Sequence, residues 1–198
     1  MEREVVITGI GGQGIQLMAK ILAQAAAHEG RSVMLFGIYM GMMRGGASDS
    51  TVVVSDEEIA APPIVPVVWS VVAMHPLGAT TLLAKLRPGG LFFANTTLVT
   101  KPPQRSDIRV AGVPATRLAE EAGNIMGAGM VALGAFAEVT AFVPFTALES
   151  AMRESLPPHR QHLADANVRY LDAGARYARE QLAPSTLSAW SATAAAGA

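Results

Sequence analysis

The sequence predicts an α/β domain, an open and mostly parallel sheet flanked by helices in a Rossmann-like three-layer arrangement. Three observations carry that reading. The first is Val5-Val6-Ile7-Thr8-Gly9-Ile10-Gly11-Gly12-Gln13-Gly14, an apolar β-branched run that ends in four glycines and passes at once into helical periodicity. A strand buried on both faces reads as such a continuous run, and strand, turn and helix start begin many parallel sheets. The second is the recurrence of strand-length apolar runs after it, separated by stretches of helical spacing. The third is that 51% of the 198 residues are hydrophobic, enough to bury a substantial core in one domain.

Within the opening stretch, Gly9, Gly11 and Gly14 fit G-x-G-x-x-G, where a tight turn and bare backbone let a phosphate-bearing ligand approach the first helix's N-terminus. Ile15, Leu17, Met18, Ile21, Leu22, Ala25 and Ala26 then recur as one buried helix face, ended by His28-Glu29-Gly30. Val33-Met34-Leu35-Phe36 follows as a strand, and strand, helix and strand in so few residues imply a right-handed parallel crossover. A dinucleotide site would want Asp or Glu just past this strand, about 20 residues beyond the glycines. The sequence has Gly37-Ile38-Tyr39 there, which counts against a nicotinamide dinucleotide.

The stretch from Gly37 to Ser48 is glycine-rich and carries, besides Met40, Met42 and Met43, the single charge of Arg44. Arg44 reads either as a structural cation or as a group that Gly45 and Gly46 turn toward an anionic substrate or partner carboxylate. Thr51-Val52-Val53-Val54 is a third strand, closed by the solvated turn Ser55-Asp56-Glu57-Glu58. Ala61 to Pro66 is an extended connector. The apolar run from Val67 to Met74 is the central buried strand, with His75 at its C-terminal end as either a histidine satisfied by backbone or a catalytic group. A helix from Leu77 to Leu86 stops at Arg87-Pro88-Gly89-Gly90, and Leu91-Phe92-Phe93-Ala94-Asn95 is the next strand. His75, Asn95, the glycine turn and Arg44 would then share one rim.

Ile108 to Gly112 is a short strand and Ala115 to Gly123 a helix. Asn124 either caps or offers a ligand contact at the mouth of a helix from Met130 to Phe142, which is apolar nearly all round and small-residue rich at Gly129, Ala132, Gly134, Ala135 and Ala137. Thr146-Ala147-Leu148-Glu149 has the capping-box pattern. Pro157-Pro158 breaks that helix, and a last one from His159 to Leu182 places Leu163, Tyr170, Leu171, Tyr177 and Ala178 on one stripe. His159 and His162 lie one turn apart with no third ligand, so they read as surface and no metal site is assigned. Residues 1–182 thus form one domain. Residues 183–198 are an Ala- and Ser-rich tail with Leu187 and Trp190 to bury, either disordered or a partner-binding strap.

Composition narrows the function. The formal net charge is −1 and no run of Lys or Arg forms a stripe, so nucleic acid is not expected as a partner. The chain has no cysteine, which removes disulfides, thiolate catalysis and cysteine-ligated iron–sulfur clusters from it. Neither a signal-peptide layout at Met1-Glu2-Arg3-Glu4 nor an uninterrupted membrane-spanning run is present, so no membrane association is expected and the expected location is the cytoplasm.

Gly9-Ile10-Gly11-Gly12-Gln13-Gly14, then Arg44-Gly45-Gly46-Ala47-Ser48 before a Val-rich strand ending Ser55-Asp56, then Leu86-Arg87-Pro88-Gly89-Gly90 and Asn124-Ile125-Met126 ahead of Val131-Ala132-Leu133-Gly134, together resemble the gamma subunit, or corresponding domain, of 2-oxoacid:ferredoxin oxidoreductases. The resemblance covers Glu4 to Glu180 and leaves out the tail. It implies a complex that decarboxylates a 2-oxoacid oxidatively, passes electrons to ferredoxin or another acceptor, and usually yields an acyl-coenzyme A. Thiamine diphosphate and Mg2+ would lie on alpha and beta partners and [4Fe-4S] clusters on a ferredoxin-like delta partner, with no cofactor bound and no catalytic residue supplied by this chain alone. Gly9, Gly11, Gly12, Gln13, Gly14, Arg44, Gly45, Gly46, Asn95 and Asn124 are the expected positions of the substrate and coenzyme A region. Two departures stand out, because the family pattern commonly has acids where this chain has Met42 and Trp69. A less polar loop suits a bulky or aromatic 2-oxoacid better than 2-oxoglutarate. Two other readings are a stand-alone nucleotide-binding oxidoreductase and a purely structural assembly subunit.

Overall fold

A computed structural model of the chain describes residues 1–39, 46–59, 65–101, 103–182 and 188–190. Its strands are β1 (Glu2–Ile10), β2 (Ser32–Tyr39), β3 (Ala47–Ser55), β4 (Val68–Ala73), β5 (Leu86–Asn95) and β6 (Arg109–Val113), joined in one sheet of order β2-β3-β1-β4-β5-β6. β1, β4, β5 and β6 are parallel, and β3 is antiparallel to both of its neighbours. The predicted mostly parallel sheet is therefore present, with one inserted strand.

The predicted parallel crossover from β1 through the helix after it to β2 is present, with its two strands spaced one apart. β2 runs in the sense of β1 but does not lie beside it, because β3 sits between them. A parallel return needs a connection of a dozen or more residues. The link from Tyr39 to Ala47 is too short for one, so β3 doubles back along β2 and presents its other edge to β1.

Helices cover both faces. α1 (Ile15–His28), α3 (Ala115–Glu121), α4 (Ala128–Thr140), α5 (Phe145–Ser155) and α6 (Ala164–Gln181) build the larger core on Val5, Ile7, Trp69, Leu91 and Phe93. α2 (Pro76–Leu83) covers Val6, Val71 and Phe92 on the opposite face with Ala79 and Leu82. α4 is buried on nearly every side, as its composition predicts. It meets α6 through a reciprocal glycine contact, where a Cβ at Gly134 would strike the Leu171 carbonyl and one at Gly174 the Val131 carbonyl.

Several boundaries differ from the expected ones, β2 running on to Tyr39 and β3 beginning at Ala47, ahead of Thr51. Leu86 opens β5 rather than ending α2, because Arg87-Pro88-Gly89-Gly90 is an irregular part of the strand, with the register shifting from Val68 opposite Leu86 to Ser70 opposite Leu91. α5 starts at Phe145 after Pro144, so Thr146 is already inside it and Glu149 pairs with Arg153 at 3.0 Å instead of closing a capping box. The last helix starts at Ala164, after a 3-10 segment from Pro158 to Leu163 that leaves Leu163 exposed.

β1 also begins earlier than its apolar run. Glu4 is buried there, accepting from the Trp69 amide at 3.0 Å and pairing with Arg87 at 3.3 Å. Burial pushes the Glu4 carboxyl above its ordinary pKa, with Arg87 pulling the other way. Burial also lowers the pKa of the adjacent Arg3, helped by the charge of Arg87.

Candidate functional site

β1 and β4 are adjacent and parallel, but β1 leads into α1 on one face and β4 into α2 on the other. The chain ends of such a pair diverge and open a crevice outside the carboxyl edge of the sheet, the usual ligand position in open α/β folds. The expected glycine turn lies there. Gly12 and Gly14 hold φ of 100° and 74°, which an L side chain adopts only with strain, and Gly14 is the N-cap of α1 with no side chain capping it.

Gln13 closes the floor of the crevice. Its Oε1 accepts from the Ile10 amide at 2.9 Å and its Nε2 donates to the Met74 carbonyl at 3.3 Å, linking the ends of β1 and β4. Gly9 leaves room beneath it, since a Cβ there would approach Gln13 Oε1 to 2.5 Å and Ile15 Cδ1 to 2.7 Å and displace those side-chain ends. The Gly11 amide donates to the Gly46 carbonyl at 2.9 Å, so the described member of the Arg44-Gly45-Gly46 motif is fastened to the glycine turn. Arg44 and Gly45, with Met40, Met42 and Met43, lie outside the described residues.

The remaining expected residues hold local structure at the same rim. Asn95 is buried, donating to Thr116 Oγ1 at 2.8 Å and to the Met74 carbonyl at 3.5 Å and accepting from the Thr116 amide at 3.3 Å. Asn124 caps the 3-10 turn Ile125–Gly127 by accepting from the Met126 amide at 3.0 Å. His75 caps α2, its Nδ1 accepting from the Leu77 amide at 3.2 Å, which is the backbone-satisfied reading.

A hollow of about 210 Å³ opens between Gly12 and Gln13 on one side and Ile125, Met126 and Gly129 on the other, with Thr116 in its wall. Met126 and Ile125 are 71% and 54% exposed and Leu77 is 50% exposed, so the rim presents large apolar groups to its surroundings. A separate hollow of about 290 Å³ between α2 and β5 shares none of these walls.

Two residues of the crevice were not singled out by sequence. Thr8 and Asp49 face each other across β1 and β3, and Thr8 Oγ1 and Asp49 Oδ1 are both buried without a hydrogen-bond partner. Gly78, at φ 87°, passes over them, and a Cβ on it would come within 2.7 Å of Thr8 Oγ1. Thr8 looks like any β-branched strand residue, so only the register exposes the pair.

The topology also bears on nucleotide binding. The end of β2 lies two strands, about 10 Å, from the end of β1, too far for a ribose-holding acid at that end to serve a ligand seated on the glycine turn. Among the described residues no three His, Asp or Glu side chains are grouped to hold a metal ion, and no helix is long and apolar enough to cross a membrane.

The sheet is open and mostly parallel, and the glycine turn at its switch point is fastened to Gly46 just ahead of β3, which defines an α/β module with its crevice at the carboxyl edge. The chain belongs to the pyruvate ferredoxin/flavodoxin oxidoreductase family, whose model matches residues 4–177. It is 34% identical over 182 residues to the 2-oxoglutarate synthase subunit KorC of Methanothermobacter marburgensis, covering 88% of this chain and 95% of that protein. It is 33% identical over 186 residues to the ketoisovalerate oxidoreductase subunit VorA of Methanothermobacter thermautotrophicus, covering 91% of this chain but only 37% of that longer protein. Among solved structures, the gamma subunit of a keto/oxoacid ferredoxin oxidoreductase from Geobacter sulfurreducens superposes with a TM-score of 0.74 at 28% identity, over 90% of this chain and 99% of that one.

Proposed function

We propose that this chain is the gamma subunit of a thiamine diphosphate-dependent 2-oxoacid:ferredoxin oxidoreductase complex, and that its carboxyl rim forms one wall of the substrate and coenzyme A region. The observation that carries the reading is the family match over residues 4–177, which takes in both the glycine turn and the Arg44-Gly45-Gly46 motif, together with the Gly11 to Gly46 hydrogen bond.

The chemistry divides accordingly. With no cysteine in the sequence, thiolate-ligated clusters have no ligands in this chain. Thiamine diphosphate, Mg2+ and [4Fe-4S] clusters belong to alpha, beta and ferredoxin-like delta partners, and an acyl-coenzyme A is the usual product. Gly9, Gly11, Gly12, Gln13 and Gly14 shape the wall with bare backbone. Arg44, followed by Gly45 and Gly46, is the residue proposed to meet an anion, and Asn95 and Asn124 position the rim rather than react. The apolar methionines beside Arg44 favour a bulky or aromatic 2-oxoacid over 2-oxoglutarate.

Arg44→Ala in the assembled complex tests the assignment. The expected result is a Michaelis constant for the 2-oxoacid or coenzyme A raised about tenfold, the loss of roughly one charged hydrogen bond. Unchanged Michaelis constants for both would reduce the chain to a structural subunit.

A further inference from the structure

We propose that Ser188–Trp190 is an intramolecular latch that closes the amino-terminal edge of the sheet, so that the folded unit extends past α6 to Trp190. The contacts converge from four elements. The Ala189 amide donates to the Thr140 carbonyl at 2.6 Å, and Arg3 Nε donates to the Ala189 carbonyl. Trp190 Nε1 donates to the Phe142 carbonyl at 3.0 Å. The Trp190 ring lies 5.4 Å from Phe142, which stacks in turn on Trp69 at 6.1 Å. Arg31 sits 3.6 Å above the Trp190 ring and pairs with Asp56, whose other oxygen is 3.4 Å from the Met1 amino group.

The latch answers a local need. α4 ends at Thr140, and Ala141 takes φ 47° where glycine is the usual choice. The last carbonyls of a helix lack intrahelical partners, and here the Ala189 amide supplies a donor to Thr140, while Trp190 bonds the Phe142 carbonyl just past the helix. Ala189 is fully buried, whereas a strap held ready for another protein would be left accessible. A partner that bound residues 188–190 would first have to break every one of these contacts.

Acrylamide quenching of the intact chain reads the latch directly, because Trp69 and Trp190 are its two tryptophans. Docked, Trp69 is buried and Trp190 half-buried under Arg31, so no component quenches like free tryptophan. Emission in which one fluorophore quenches like free tryptophan overturns the proposal. Thermal unfolding of Trp190→Ala, and of a chain ending at Leu182, gives the second arm. A midpoint lowered by about 4 °C or more is expected for a domain of this size, and an unchanged midpoint in both variants contradicts the latch.

Discussion

Gln13 and Glu4 sit at opposite ends of β1, and each owes its role to backbone it cannot see in sequence. Gln13 was legible as part of a turn because the glycines around it announce one. Its partner, the Met74 carbonyl, comes from a strand 61 residues away. Glu4 read as part of a charged lead-in, whereas the sheet carries it inward to the Trp69 amide and Arg87. Since burial raises its folded-state pKa above the unfolded value, folding takes up a proton at Glu4. That contribution to stability is present in full below the unfolded pKa and is lost as pH rises through the folded one. Denaturation of the wild-type chain and Glu4→Gln between about pH 6 and pH 4 checks this, with the wild type gaining on the variant as pH falls. The opposite slope would mean that the Arg87 ion pair outweighs burial.

At the level of elements, long periodic stretches declared themselves and pairings did not. α1, β4 and the all-round apolar α4 follow directly from their apolar spacing. The insertion of β3 beside β1 depends on the length of a link and on which edge of the sheet is free, neither of which local pattern encodes. Pro144 displaced the capping box in the same way, by starting α5 before Thr146. The small residues of α4 predicted close packing, and the structure gives the reason as the Gly134 and Gly174 contact with α6. Gly134→Ala or Gly174→Ala forces backbone apart in both helices and is expected to destabilise the domain by about 1–3 kcal/mol, measured by chemical denaturation. A loss no larger than that of an exposed helix substitution would show that the helices do not meet there.

The whole molecule is a sheet with two working edges. Its amino-terminal edge is closed by the chain's own residues, with Arg3 bonded to the Ala189 carbonyl and Trp190 set against Phe142. Its carboxyl edge is open, glycine-lined and rimmed by Leu77, Ile125 and Met126. The glycine turn and its place on the rim were readable from residue order alone. The Thr8 and Asp49 pair and the fastening of Gly46 to Gly11 were not, because each requires two strands brought into register. The central claim is that this chain supplies a wall and an assembly surface while carbanion and electron-transfer chemistry reside on its partners. Reduction of ferredoxin driven by a 2-oxoacid, measured for the isolated chain and for the complex captured with it from its native source, tests that claim most directly. The expected result is no turnover by the isolated chain and turnover by a captured assembly containing a thiamine-binding and a cysteine-rich subunit; turnover by the isolated chain, or an assembly lacking those subunits, would overturn that division of labour.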